Sequence, residues 1–546
     1  MNNAAKELKR LAEAQTKNPF KKGAFTKAAK AIQFYDDSEL ATMTFNELKQ
    51  IPGVGESSAK VILDLYTKGS CERLEKECLP RECNFTELRG VGIVTARRLI
   101  KKYGVVTIEE LEACDIPDDL RQKIETWKRL TSRLPRYEVE PLVNKVVAVL
   151  SKHHVQVAPV GSYRRFKSTI GDLDFVVYSN TKPKTLAGLL KRNLNGFELE
   201  SLGEHKLLCN ITIGDVSVHA DFIFPNKESV ATSILYLTGS KDFNVGMRAY
   251  AKRLGYTLNE HGLFKGKKRV KGRRERDVFD ILGLPYIHAC ARELYADDFD
   301  SLVTGYSDVV PADFVAHNRH CFHTHSTYSD GVMTIRKFGQ FCRANRFKLC
   351  GMSDHSYPNP AGLKPAHLSR YIAECREYKL FAGIELEVMG NGSLPKGFTP
   401  RVLSHFDYIV LACHIIPHSN VVSRLAKALK LVPREVPVVL AHLTGRVIGT
   451  RDTADINVGA LKKLFRVRRN LILEINGWAE RLDPPAPLLQ RINKHIKPPI
   501  VYGPDAHSLA DIKGNYNNCH RQALKGHVTT QQVARGLKIL RNKIKG

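Results

Sequence analysis

The stretch Val160-Gly-Ser-Tyr-Arg-Arg-Phe-Lys-Ser-Thr-Ile-Gly-Asp-Leu-Asp-Phe175 decides the fold. It joins a Gly-Ser turn, two adjacent arginines and an Asp-x-Asp pair. Within it begins Asp172-Leu-Asp-Phe-Val-Val-Tyr178, whose alternation and β-branched residues predict a strand. Alternation places Asp172 and Asp174 on one face. Neighbouring carboxylates repel unless a cation lies between them, and a divalent metal with oxygen ligands fits that need. A third acid, Asp221 in Val216-Ser-Val-His-Ala-Asp-Phe-Ile-Phe224, can come from a neighbouring strand. Three carboxylates, two metals and a phosphate-holding turn are the parts of a phosphoryl-transfer site. A lone Asp-x-Asp is more often a solvated strand edge; the Gly-Ser-Tyr-Arg-Arg ahead of it argues for chemistry.

At 546 residues the chain is expected to hold several domains. Its 43% hydrophobic content supports packed cores and excludes wholesale disorder. A net charge of +28 favours a polyanionic partner, nucleic acid first, because phosphate neutralisation releases counterions. Charge alone is equally compatible with a ribosome-associated or membrane-surface protein. Twelve cysteines without a C-x-x-C pair imply reduced thiols and no structural zinc site. No signal peptide and no long apolar run is read, so the expected setting is intracellular and soluble: cytoplasm or nucleoid, or a nucleus if the source is eukaryotic or viral.

The first 80 residues read as helical, with apolar residues at helical spacing over 4–14, 25–34 and 57–66. Ile51-Pro-Gly-Val-Gly-Glu56 opens the last of these, and Leu88-Arg-Gly-Val-Gly-Ile93 opens a second helix in the same way. Glycines permit a tight turn between helices, and the free amides of the second helix can hold a phosphate. The pair resembles helix-hairpin-helix motifs, which grip the DNA backbone without reading sequence, through Gly53, Gly55, Lys60, Gly90 and Gly92. An ordinary helical corner with glycine at a C-cap is the plainer alternative for either copy.

G-S-x-x-R followed by G-D-x-D resembles the nucleotidyltransferase superfamily, and the two-arginine form resembles family X DNA polymerases. The resemblance implies that Gly161 and Ser162 cradle the β- and γ-phosphates of a dNTP. Arg165 and Arg133 would neutralise them, with Gly171 beside the acids. Asp172 and Asp174 would hold two Mg²⁺ or Mn²⁺ ions. Asp221 would bind the catalytic ion and take the proton of the primer's 3′-hydroxyl. Tyr236-Leu-Thr-Gly-Ser240 resembles the thumb turn under the nucleotide sugar, with Tyr236 and Gly239 as contacts; Leu237 stands where a Phe is common. Asn244 and Arg248 lie one helical turn apart and would face the minor groove. Lys265 to Arg276 carries eight bases against Glu275 and reads as a basic loop or hairpin. The family's lyase lysine aligns with Val61, and Lys60 points about 100° away on a helix.

From His320 onward a second signal appears. His323-Thr-His325, Asp330, His355, Glu385, His414, His442 and Asp505-Ala-His507 stand in motifs of which several follow apolar runs, as in a barrel with its site at the strand ends. Imidazole with carboxylate suits zinc, manganese or iron. The set resembles the PHP (polymerase and histidinol phosphatase) family. That implies a distorted β/α barrel with three metals, Mn²⁺, Zn²⁺ or Fe²⁺, on those nine residues, with Arg446 and Arg481 as phosphate holders. Cys321-Phe322 replaces the Asp-Leu that commonly precedes the H-x-H.

The fold class expected is therefore multidomain α/β: a helical helix-hairpin-helix region (1–80), a second such region (81–135), a nucleotidyltransferase palm (136–225), a thumb (226–296), a linker (297–316) and a PHP distorted β/α barrel (317–546). The function implied is a monomeric gap-filling repair polymerase, acting on gapped or primer-template DNA and dNTPs, with a metal-dependent 3′–5′ exonuclease and cutting at abasic sites. The alternatives are an enzyme active only as a phosphoesterase and a non-enzymatic DNA-binding scaffold.

Overall fold

A computed structural model describes residues 2–14, 18–32, 35–88, 90–131, 133–293, 299–306, 309–414 and 420–542. The chain divides into two compact units, Met1–Ser132 and Arg133–Gly546.

The first unit is helical throughout. Helices Asn3–Ala14, Pro19–Ile32 and Glu56–Lys68 bury Leu8, Phe25, Ala29 and Ile62 together. A second small core gathers Phe85, Leu88, Ala96, Ile108 and Leu111 around the helix Ile93–Tyr103. Both glycine motifs form as expected. Gly53 and Gly90 sit at φ of 102° and 80°, conformations costly for other residues. Gly55 and Gly92 then cap their helices without any side-chain bond, which leaves the first-turn amides for another acceptor. Arg89, inside the second motif, lies outside the described residues.

Among the described residues the second unit carries three large cores and one smaller one. Its palm is a five-stranded sheet in the order Val157–Pro159, Asp172–Val177, Val216–Ile223, Lys206–Ile213, Gly196–Leu202. Only the Asp172–Val177 and Val216–Ile223 pair is parallel. The helix Arg136–Lys152 covers the sheet through Val139, Leu142, Val146 and Leu150. Arg136, the first residue of this helix, is buried against the rings of Tyr163 and Phe166.

The thumb follows with helices Val230–Thr238 and Lys241–Arg253 packed on strands Tyr256–Asn259 and Gly262–Lys265. The basic stretch is a hairpin: Gly262–Lys265 pairs antiparallel with Lys268–Val270. The region expected as a linker holds two short helices, Phe299–Gly305, with Phe299 in the thumb core, and Ala312–His317, with Val315 in the barrel core.

The C-terminal region is a seven-stranded, all-parallel sheet whose strands lie in sequence order from His320–Cys321 to Ile500–Gly503. An isolated bridge from Thr324 to Ala506 brings its two ends together, so the sheet is nearly closed. Its strands are runs such as Tyr408–Ala412 and Leu471–Asn476, buried on every residue, as a barrel wall requires. Cys321 lies in this apolar core, and Phe322 packs edge-on against Phe381 and Tyr408. All twelve cysteines are free thiols, as the sequence implied.

Candidate active sites

The palm site rests on strand register. Asp174 pairs with Asp221 across the parallel strands, and Asp172 pairs with His219. Parallel pairing with alternate side chains sets all three acids on one face. Burial, then Asp172 and Asp221, push the Asp174 carboxyl up to about 7. Burial acts the same way on Asp221, but His219 and Lys206 overcome it and hold that group below its ordinary range. Lys206 Nζ lies 2.7 Å from Asp221 Oδ2, and His219 Nε2 lies 2.9 Å from Oδ1. Such mutual repulsion among acids is what a divalent cation relieves, so the donor set fits one.

Gly161 opens a one-turn helix, Gly161–Arg164, where the sequence read a simple turn. Its φ is 58°, and a Cβ there would stand 2.1 Å from Asp174 Oδ2. The hydroxyl of Ser162 is buried without a hydrogen-bond partner among the described residues. The two arginines divide. Arg164 turns inward to Glu275 at 2.7 Å, which also holds the fully buried Arg292 at 2.6 Å. Arg165 faces Glu293 and donates to the carbonyl of Thr238, just before Gly239. Arg133 donates to Thr169 on the strand that ends beside Gly171. Ser240 caps the next helix, Asn244 donates to the Tyr236 carbonyl at 2.7 Å, and Arg248 lies one turn on. Arg133, Ser162 and Arg165 line one cavity, and Tyr236, Asn244 and Arg248 line a second, much smaller one.

In the N-terminal unit Lys60 is exposed and Val61 is buried.

The barrel site gathers all nine expected ligands. Their donor atoms fall into four overlapping groups, each within 4.8 Å: His325, Asp330, His355, His507; His323, His442, Asp505; His323, His325, Glu385; and Glu385, His414, His442. Several of these buried atoms, including His323 Nε2, both ring nitrogens of His325 and Glu385 Oε2, lack a partner in hydrogen-bond geometry. Donors crowded together, several of them without a hydrogen bond among the described residues, fit metal ions. His323, His442 and Asp505 all have positive φ, a local cost of about 1–3 kcal/mol each that packing must hold in place. The strand ends thus carry strain where the donors converge. A cavity of about 460 Å³ opens over them, lined by His355, Glu385, His414, Trp478 and Arg481.

A ring of outer residues escaped the sequence reading. Glu474 accepts from His323 Nδ1 at 2.7 Å, and Glu387 accepts from His414 Nδ1 at 2.7 Å. Asp354 accepts from Ser326 and Ser329 beneath the site. Carboxylates behind ligating imidazoles fix the tautomer and the ring direction. The signal was present, since Glu474 lies in a barrel strand and points to the same end. Arg481 stands by Asp505, 3.8 Å away, as a phosphate holder would. Arg446 does not: it donates to the carbonyls of Arg481 and Leu482 and lines a different cavity, between barrel and palm.

Comparison with known proteins agrees with this architecture. The DNA polymerase beta palm matches residues 133–213 and the DNA polymerase beta thumb residues 233–293. A helix-hairpin-helix domain matches residues 2–71, and a SAM-like helix-hairpin-helix tandem residues 84–130. A DNA polymerase/3′-5′ exonuclease PolX of Bacillus subtilis is 27% identical over 96% of this chain and 95% of its own length. DNA polymerase lambda of Arabidopsis thaliana is 26% identical over 48% of this chain and 57% of its own. DNA polymerase lambda of Rattus norvegicus is likewise 26% identical, over 48% and 52%.

Proposed function

The chain belongs to the bacterial-type family X DNA polymerases, and on that premise we propose that it fills short gaps in DNA during repair and trims 3′ ends at its barrel site. The observation that carries this reading is the register pairing of Asp174 with Asp221 over Gly161, in a chain that also assembles nine ligands at its barrel mouth.

At the palm, Asp172, Asp174 and Asp221 would hold divalent cations, which supply charge neutralisation for both the attacking and the leaving oxygen. Ser162, Arg165 and Arg133 orient the triphosphate. Asp221, steadied by His219 and Lys206, accepts the proton of the 3′-hydroxyl. Tyr236 and Gly239 lie under the sugar, while Asn244 and Arg248 test pair shape in the minor groove. The helix-hairpin-helix turns hold backbone phosphate at Gly53, Gly55, Gly90 and Gly92.

At the barrel, His323, His325, Asp330, His355, Glu385, His414, His442, Asp505 and His507 would hold metals of the Mn²⁺, Zn²⁺ or Fe²⁺ type, which supply Lewis acidity and an activated water for phosphodiester cleavage. Glu474 and Glu387 fix the imidazoles, and Arg481 meets the scissile phosphate. Among the described residues no helix is long and apolar enough to cross a membrane.

A labelled primer on a one-nucleotide-gapped duplex tests both activities. With Mn²⁺ and dNTPs the primer should lengthen by templated addition, and without dNTPs it should shorten. Binding without either reaction would return the chain to the scaffold reading.

A further inference from the structure

The palm and barrel meet along a small apolar seam of Phe166, Cys290, Ile448, Leu482 and Leu524. Lys525, from the last turn of the helix Leu509–Lys525, crosses it and donates to the Phe166 carbonyl at 2.9 Å. Beside the seam lies a cavity of about 780 Å³. One wall is the palm's phosphate-holding segment, with Arg133, Ser162, Arg165 and Lys167. The other wall belongs to the barrel, with Arg446, Arg491 and Lys525. Six cationic side chains thus line the space against one acid, Asp455. Glu293 offsets part of this charge, since it pairs with both Arg165 and Lys167.

We propose that the barrel completes the polymerase's polyphosphate site. The cavity holds the triphosphate tail of the incoming nucleotide and the pyrophosphate it becomes, with Arg491 and Lys525 as the barrel's contribution. This rests on the polymerase reading above. Three features point to an anion of that size. The Ser162 hydroxyl, unpartnered among the described residues, belongs to the cavity lining and follows Gly161, which lies against Asp174. The excess of cations is confined to a space between domains, where field lines concentrate. Lys525 is held at about 8, chiefly by burial and further by Lys167 and Arg446 against the pull of Glu293, and a polyphosphate would relieve that crowding. The volume lies in the range of small-ligand sites and is too confined for a duplex. In consequence, the trimming domain sets how tightly the polymerase holds its nucleotide and releases its product.

The test uses the full chain with Arg491→Glu and Lys525→Met, and Arg491→Lys as the conservative control. Binding of inorganic pyrophosphate with Mg²⁺ is followed by calorimetry, alongside the nucleotide KM and pyrophosphate inhibition of primer extension. Lys525→Met should weaken pyrophosphate binding about three- to tenfold, the cost of one charged contact, Arg491→Glu at least as much because it reverses the charge, and Arg491→Lys should keep most of the binding. Primer shortening without dNTPs should stay unchanged in Arg491→Glu, which reports an intact fold. A rise in nucleotide KM as well assigns the triphosphate tail to the cavity; a change in pyrophosphate inhibition alone assigns the leaving product. Extension with neither constant moved in either variant would overturn the proposal and leave the polymerase reading intact. Pyrophosphate binding without extension would overturn the polymerase reading, and the proposal with it, and leave only an anion site at the seam. Loss of duplex affinity with pyrophosphate binding unchanged would also overturn it, in favour of a DNA strand at the seam.

Discussion

The carboxylate of Asp174 lies against the bare Cα of Gly161, so closely that a single methyl there would fall 2.1 Å from Oδ2. A residue ahead of the strand therefore dictates where a catalytic acid can point. Gly161→Ala must push that carboxylate aside, and its φ of 58° is unfavourable for alanine as well. Displacement by an ångström costs about 100-fold in a positioned reaction. Primer extension is expected to fall by about that factor. Shortening at the barrel, followed in the same preparation, is expected to stay at the unmodified level.

Arg164, next to the proposed phosphate holder Arg165, is structural. Arg164 and Arg292 enclose Glu275, with Tyr286 donating a further bond to the carboxylate at 2.9 Å. Removing the acid from this buried triad leaves two guanidiniums without their counter-ion. Glu275→Ala is expected to destabilise the palm–thumb junction by about 3–5 kcal/mol in thermal or urea unfolding.

The same triad gives an acid-sensitive stability. Burial alone would raise the Glu275 carboxyl, but Arg292 and Arg164 hold it at about 2 against an ordinary 4.5. A depressed folded value means that the contribution is complete above pH 4.5 and is lost as pH falls from 4.5 toward 2. Glu275→Gln should flatten this part of the stability profile, read as melting temperature against pH. An unchanged acid limb would show that the triad carries none of it.

The outer carboxylates of the barrel should govern metal retention. Glu474 fixes His323 through Nδ1, and its Oε1 also accepts from Asn476 at 2.7 Å. Glu474→Gln is expected to lower metal affinity about 10- to 100-fold. Metal content after dialysis against a weak chelator measures this directly. Shortening should decline in step and recover with excess Mn²⁺, while extension on gapped duplex should not change.

Much of this was legible in the residues themselves. Asp172-Leu-Asp174 announces its strand by alternation, and Asp221 sits in a second strand of the same kind. Several of the nine barrel residues follow apolar runs, where a parallel barrel places its site. Less legible were contacts that depend on packing across long distances. Glu275 reads as the sole acid of a basic stretch and is in fact a buried counter-ion, because the thumb folds back on Arg164. Arg446 has the look of a phosphate ligand at the barrel mouth, yet it donates to the carbonyls of Arg481 and Leu482 and lines the cavity at the seam. Nothing in the local sequence marks Lys525 as buried; tertiary packing sets it against the Phe166 carbonyl. Glu293 adjoins 294–298, outside the described residues, and nothing in its local sequence marks it as the partner of Arg165.

The central claim is that two separate sets of carboxylates and imidazoles in one chain perform opposite operations on a 3′ end. One assay on gapped duplex with Mn²⁺ tests it, comparing Asp174→Asn with the double variant His323→Ala, Asp505→Ala. Asp174→Asn should abolish extension and keep shortening, and the double variant should keep extension and abolish shortening. Extension that survives Asp174→Asn, or shortening that survives the double variant, would contradict the account.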